Sequence, residues 1–237
     1  MTRLSHTVIV ATMSTFVFFH VGPDLAMPAR MVESLRRHNP TAEIVQVTDH
    51  DTRTVPGVTW TAPTDGDREY LMLWRTQAFA GLGLTDPAMY MDTDMIVNKP
   101  INVELLLDDH HIAACRRSFN RDAMFNIHQR GQDYSEYSGK TLDEVYPILG
   151  CCTITASSGA WEAMAETYAA LPPKFKRWYG DQEVLRDYVG SLPASWVTYL
   201  PESEFACLPE ASNVYPRPSI THYKGQRKAL LNGVAPA

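Results

Sequence analysis

Asp92 and Asp94 stand two apart at the end of an apolar run, in the segment Met89-Tyr90-Met91-Asp92-Thr93-Asp94-Met95-Ile96-Val97. In extended backbone, residues i and i+2 project to the same face, so both carboxylates can turn to one point where a strand ends and a sheet opens. Two hard oxygen ligands there suit Mn2+ or Mg2+ shared with a diphosphate, because the cation offsets the charge that develops as a nucleoside diphosphate leaves. A solvated turn is the plain alternative for any isolated D-x-D. Apolar residues on both sides of this one argue for a buried strand end.

Aspartyl-phosphate phosphatases also open with D-x-D after an apolar strand. Those enzymes continue with Gly-Thr, whereas Met95-Ile96 follow here and the motif lies in mid-chain. Other residues offer chemistry of their own. Arg75 falls four residues after Leu71 and four before Phe79, beside the apolar stripe of a helix, where a guanidinium needs an anion, functional or structural. Asp181 heads the run Gly180-Asp181-Gln182-Glu183-Val184-Leu185 and serves either a ligand or the helix as its cap. Thr221-His222-Tyr223-Lys224-Gly225-Gln226-Arg227-Lys228 places a histidine, a glycine and basic residues in one polar run, for which a surface turn is the plain reading. Arg116, Arg117, Arg121, Lys174, Lys176 and Arg177 make either a solvated basic face or a reception for an anionic acceptor. Trp178 and Tyr179 beside them either pack inward or stack on a sugar or base.

Positioning such groups requires a framework. Thr7 to Thr12 is a β-branched run without alternation, expected to be the first strand, with its loop beginning before Phe19. A helix over Pro28 to His38, closed by Asn39-Pro40, and a strand over Glu43 to Thr48 complete a β-α-β opening of a doubly wound sheet with a right-handed crossover. The spacing predicts a helix over Arg68 to Leu82, strands over Ala88 to Met91, His111 to Cys115 and Ile148 to Thr155, and helices over Ala160 to Ala170 and Asp181 to Val189. Phe119 to Thr141 has no clear period and is expected to be a long loop or lid. From Ser191 onward the chain is proline-rich and expected to be irregular.

With 237 residues, 45% hydrophobic and 20% charged, the chain has an ordinary globular composition and the length of one α/β domain. A formal net charge of −6 disfavours a protein working by long-range attraction to nucleic-acid backbones. Cys115, Cys151, Cys152 and Cys207 lack C-x-x-C spacing, so reduced core thiols and a cytoplasmic setting are expected. The one stretch resembling a signal peptide, Thr7 to Phe19, is broken by Thr12, Ser14 and Thr15, and no apolar run is long enough to span a bilayer.

Taken in order, several segments resemble glycosyltransferase family 8. Val8-Ile9-Val10-Ala11 with Pro40-Thr41-Ala42-Glu43-Ile44 is similar to that family's first β-α-β unit, and Tyr90 to Asp94 to its metal strand. Gly180 to Leu185 is similar to its D-Q motif, and His222 to Lys228 to its H-x-x-G-x-x-K motif. The resemblance spans most of the chain. It implies a single GT-A, Rossmann-like α/β domain over residues 1–237, with a mixed, mostly parallel sheet flanked by helices. Residues 1–100 would form the nucleotide-binding half; 101–237 would form the acceptor half and a C-terminal metal- and phosphate-binding tail. It further implies a retaining transferase using a UDP-sugar and Mn2+ (or Mg2+), with an acceptor left open among saccharide, protein, lipid-linked glycan and modified nucleic-acid base. Asp92, Asp94 and His222 would hold the metal; Ala11, Thr12, Arg75, Asp92, Thr93, Gly225 and Lys228 would contact the donor; Gln182 and Asp181 would stand at the anomeric carbon. Retention proceeds through a covalent intermediate or a short-lived oxocarbenium ion attacked from the same face, and the resemblance leaves both open. Three departures are visible: Thr12 replaces an acidic residue, Ala229-Leu230 replaces Pro-Trp, and only Gly150 matches the family's Asn-Ala-Gly. These departures leave the base open and make a catalytically silent nucleotide-sugar binder the alternative.

Overall fold

A computed structural model describes residues 13–215 and 217–231. Its strands, in chain order, are β1 Thr15–Phe19, β2 Glu43–Thr48, β3 Trp60–Pro63, β4 Ala88–Met91, β5 Met95–Val97, β6 Ile112–Arg116, β7 His128–Gln129, β8 Gln132–Asp133, β9 Ile148–Thr155, β10 Val197–Pro201 and β11 Ile220–His222. Seven of them form a sheet in the order β10-β6-β9-β4-β1-β2-β3. β9 runs antiparallel to both its neighbours and every other pairing is parallel, which is the mixed α/β sheet the resemblance implies.

Side chains alternate across this sheet with period two, and both faces are covered. Phe16, Phe18, Ile44, Met89 and Ala113 pack on one side with Met31, Val32 and Leu35 of the helix Ala26–His38. Val17, Val45, Tyr90, Ile112 and Ala114 pack on the other against the helices Leu71–Ala80, Gly159–Ala170 and Gly180–Ser191. Burial on both faces explains why these strands read as continuous apolar runs.

Two segments differ from the sequence expectations, and a third lies outside the described residues. Thr15–Phe19, expected to be loop, is a central strand paired with both β2 and β4; its β-branched and aromatic residues suit burial, which outweighs the polar interruption at Ser14-Thr15. The expected strand at Thr7 to Thr12, with the donor residues Ala11 and Thr12, lies outside the described residues. The proline-rich end is not wholly irregular: β10 pairs with β6 as an outer strand, and its proline is tolerated because the far side has no ladder to complete. Phe119 to Thr141 is largely loop, as expected, with the small β7–β8 hairpin inside it. It is anchored by Tyr134, whose hydroxyl reaches the carbonyls of Lys174 and Trp178, and by Phe125 in an aromatic cluster with Tyr146 and Phe175.

Candidate active site

The acidic pair sits where β4 ends. Asp92 N donates to Cys151 O (3.0 Å), extending the ladder one residue, and Asp94 immediately precedes β5. β11 then lies antiparallel to β5 with His222 opposite Met95, and Tyr223 N donates to Asp94 O (2.8 Å). This short ladder delivers a histidine from near the chain's end to the acids. Ligand atoms of Asp92, Asp94 and His222 all lie within 4.8 Å of one another, with His222 Nε2 3.3 Å from Asp94 Oδ1. Asp94 Oδ1 and His222 Nδ1 are buried without a hydrogen-bond partner.

The electrostatics are uneven. Burial would raise the Asp94 carboxyl, but His222 and Lys228, whose Nζ is 3.1 Å from Asp94 Oδ2, outweigh it and hold it well below the ordinary range. Burial pushes Asp92 the other way, upward, with Asp94 adding to the shift and Arg75 opposing it. Burial also works against charge on His222, yet Cys151 and Asp94 raise it from 6.5 to about 10. A pocket in which two carboxylates and an imidazole converge fits a divalent cation, and imidazole accepts the borderline Mn2+.

Arg75 bridges the two halves of the site. Its NH1 donates to Asp92 Oδ1 (2.7 Å) and its NH2 to Asp181 Oδ2, and the three side chains are 15%, 31% and 14% exposed. The other oxygen of Asp181 accepts from Gln182 N (2.9 Å); the helix starts at Gly180 with Tyr179 as its cap residue and no side-chain cap bond, so Asp181 stands in the first turn and is not the cap. Gln182 plugs a break in the sheet. The β9–β6 register jumps from Ala114↔Thr153 to Cys115↔Leu149, freeing the backbone at Gly150 and Cys151. The Gln182 amide satisfies it, Oε1 accepting from Gly150 N (2.6 Å) and Nε2 donating to Ile148 O (2.9 Å). A Cβ on Gly150 would stand 2.7 Å from the end of that amide.

These groups line one cleft of about 710 Å³, which brings together Arg75, Asp92, Thr93, Asp94, Asp181, Gln182, His222, Gly225 and Lys228. Gly225 adopts φ +65°, the left-handed region that favours glycine. Phe19 and His20, at the end of β1, were missed from sequence because that strand was expected earlier; His20 Nε2 is buried without a partner. Glu202 was also missed. It is fully buried, accepts from the amides of Ser118 and Phe119 (2.6 and 2.7 Å), and lies 3.6 Å from Lys224 Nζ. Much of the basic group is neutralised at the surface: Arg121 pairs with Asp143, Lys174 with Glu136 and Arg177 with Glu69.

A seven-stranded mixed sheet carrying an acidic pair at its opening is the fold of the GT-A glycosyltransferases. Glycosyltransferase GlyE of Streptococcus pneumoniae TIGR4 superposes with a TM-score of 0.61 at 17% identity, over 91% of this chain and 55% of that one. A glycosyltransferase involved in glycosylation of the major capsid of PBCV-1 gives 0.58 at 14% identity, over 94% of this chain and 100% of the other. The galactosyltransferase LgtC, solved with donor and acceptor sugar analogs, gives 0.56 at 15% identity, over 92% and 95%. The chain thus spans about half of GlyE and nearly all of LgtC. No family model and no curated protein sequence matches it.

Proposed function

We propose that this chain transfers a sugar from a nucleoside-diphosphate sugar, a UDP-sugar by the motif resemblance, to an acceptor with retention at the anomeric carbon. The observation that supports this most is the convergence of Asp92, Asp94 and His222 at the cleft, two segments far apart in sequence meeting at one point. Those three residues would hold Mn2+ or Mg2+, which supplies charge neutralisation for the leaving diphosphate. Lys228, now paired with Asp94, can exchange that partner for a phosphate, and Gly225 lets the backbone come close. Arg75 orients Asp92 and Asp181 together, so the carboxylate that touches the donor sugar is set by the one that holds the cation. Asp181 is the group for direct work at the sugar, as nucleophile or as stabiliser of a short-lived cation. Gln182 acts by holding the β9 backbone in place.

A thermal-shift panel of nucleotide sugars with and without Mn2+ tests this, since a ligand bound only by the native state raises Tm. The expected result is a manganese-dependent shift with one donor, and donor hydrolysis that disappears in Asp94→Ala. Absence of any manganese-dependent nucleoside-diphosphate binding by calorimetry would sink the proposal.

A further inference from the structure

The diphosphate end of the cleft has its own cationic partner in Lys228 and its candidate metal site. The same cleft is lined by two more cations, Arg117 and Arg130. Arg117 follows β6 and is half-buried; its Nε donates to Tyr146 O (2.8 Å), which fixes the orientation of its fork. Arg130 comes from the β7–β8 hairpin and lies 4.0 Å over the ring of Trp178. Neither has a carboxylate within salt-bridge distance among the described residues, whereas Arg75 in the same cleft is doubly paired. A guanidinium stacked on an aromatic face keeps its in-plane donors free. Both line the same cleft as Tyr179.

The backbone supports a functional reading of Arg130. It and Gly131 take φ +49° and +73° at the centre of a two-residue hairpin, the type I′ geometry that favours Asn or Gly. An arginine there carries a conformational cost that its position over Trp178, at the cleft, makes intelligible.

We propose that Arg117 and Arg130 form an anion-binding subsite for the acceptor, which on the transferase reading above is a saccharide bearing a carboxylate or phosphate group. The fork of Arg117 and the exposed edge of Arg130 match planar or tetrahedral oxyanions.

The test uses the whole chain with saturating UDP and Mn2+, titrated with methyl glucuronide, glucose 6-phosphate and neutral methyl glucoside. Arg117→Gln and Arg130→Asn follow, the second keeping the turn because asparagine suits its geometry. The anionic probes should bind roughly tenfold or more tightly than the neutral one, the span of one charge-assisted hydrogen bond, and each variant should erase that preference with UDP affinity intact. Which anionic probe binds tighter names the group. Equal binding of all three probes, or a preference that survives both variants, overturns the subsite while UDP binding keeps the transferase reading. A wild-type chain that binds no UDP overturns that reading instead, and this inference with it. Arginine-dependent tightening of a UDP-hexuronate alone would move the anion to the donor sugar and refute the acceptor assignment. So would arginine-dependent binding of a single-stranded oligonucleotide with none by the sugars.

Discussion

His222 Nε2 lies 3.3 Å from Asp94 Oδ1, held there by the β5–β11 ladder in which His222 faces Met95. The contact is positioned by backbone, so replacing the imidazole should leave the ladder in place. His222→Ala is therefore expected to keep its circular dichroism spectrum and lose Mn2+ affinity. Partners one shell removed from a metal are worth roughly 10–100-fold in affinity, so loss of a direct ligand should cost at least that. Calorimetric titration of Mn2+ reads it; unchanged affinity would remove His222 from the ligand set.

Proton competition should be visible at the same residue. Without a cation His222 has a pKa raised from 6.5 to about 10, so its pairing with Asp94 stabilises the fold fully below about pH 6.5 and is lost as pH rises through about 10. A cation requires neutral imidazole and must displace that proton. Mn2+ affinity should then climb with pH by up to about tenfold per unit within this window, with close to one proton released per ion at neutral pH. Titrations in buffers of different ionisation enthalpy count the protons. No release near pH 7 would contradict the raised pKa.

The central strands and the acidic pair were legible because burial on both sheet faces writes continuous apolar runs, and because Asp92 and Asp94 interrupt one. His222, Gly225 and Lys228 were legible only as an ordered motif; the meeting of His222 and Lys228 with Asp94 depends on a strand pairing that no local pattern encodes. The backbone contacts of Gln182 were not legible for a similar reason. Its partners are backbone groups freed by a register jump between β9 and β6, which exists only once three strands are aligned. β1 was displaced because a second β-branched run precedes it, and β10 because edge strands tolerate the prolines that usually argue against a strand.

Arg75 should be irreplaceable even by lysine. Its two nitrogens satisfy Asp92 and Asp181 at once, a forked geometry that a single ammonium cannot reproduce. Arg75→Ala would leave two largely buried carboxylates facing each other, and loss of one partner from such a cluster costs about 3–5 kcal/mol. Urea unfolding at neutral pH should show most of that loss, with Arg75→Lys intermediate. Because burial already raises the Asp92 carboxyl, lowering the pH neutralises it early and should shrink the deficit. A deficit that stays constant on acidification would mean the carboxylates are not its source.

The β9 break gives the last prediction. Gln182→Ala abandons Gly150 N and Ile148 O, each of which would then sit in the sheet without its side-chain partner. An unsatisfied buried polar group costs about 1–3 kcal/mol, so the variant should lose roughly that much stability apart from any effect on turnover. Gly150→Ala attacks the same contact from the other side, since its new Cβ would stand 2.7 Å from the Gln182 amide and one of them must move. If both variants act by breaking this one bridge, the double variant should lose clearly less than the sum of the singles. Additive losses in a double-mutant cycle would show that Gln182 and Gly150 act independently, and would return Gln182 to the sugar as a candidate for direct contact.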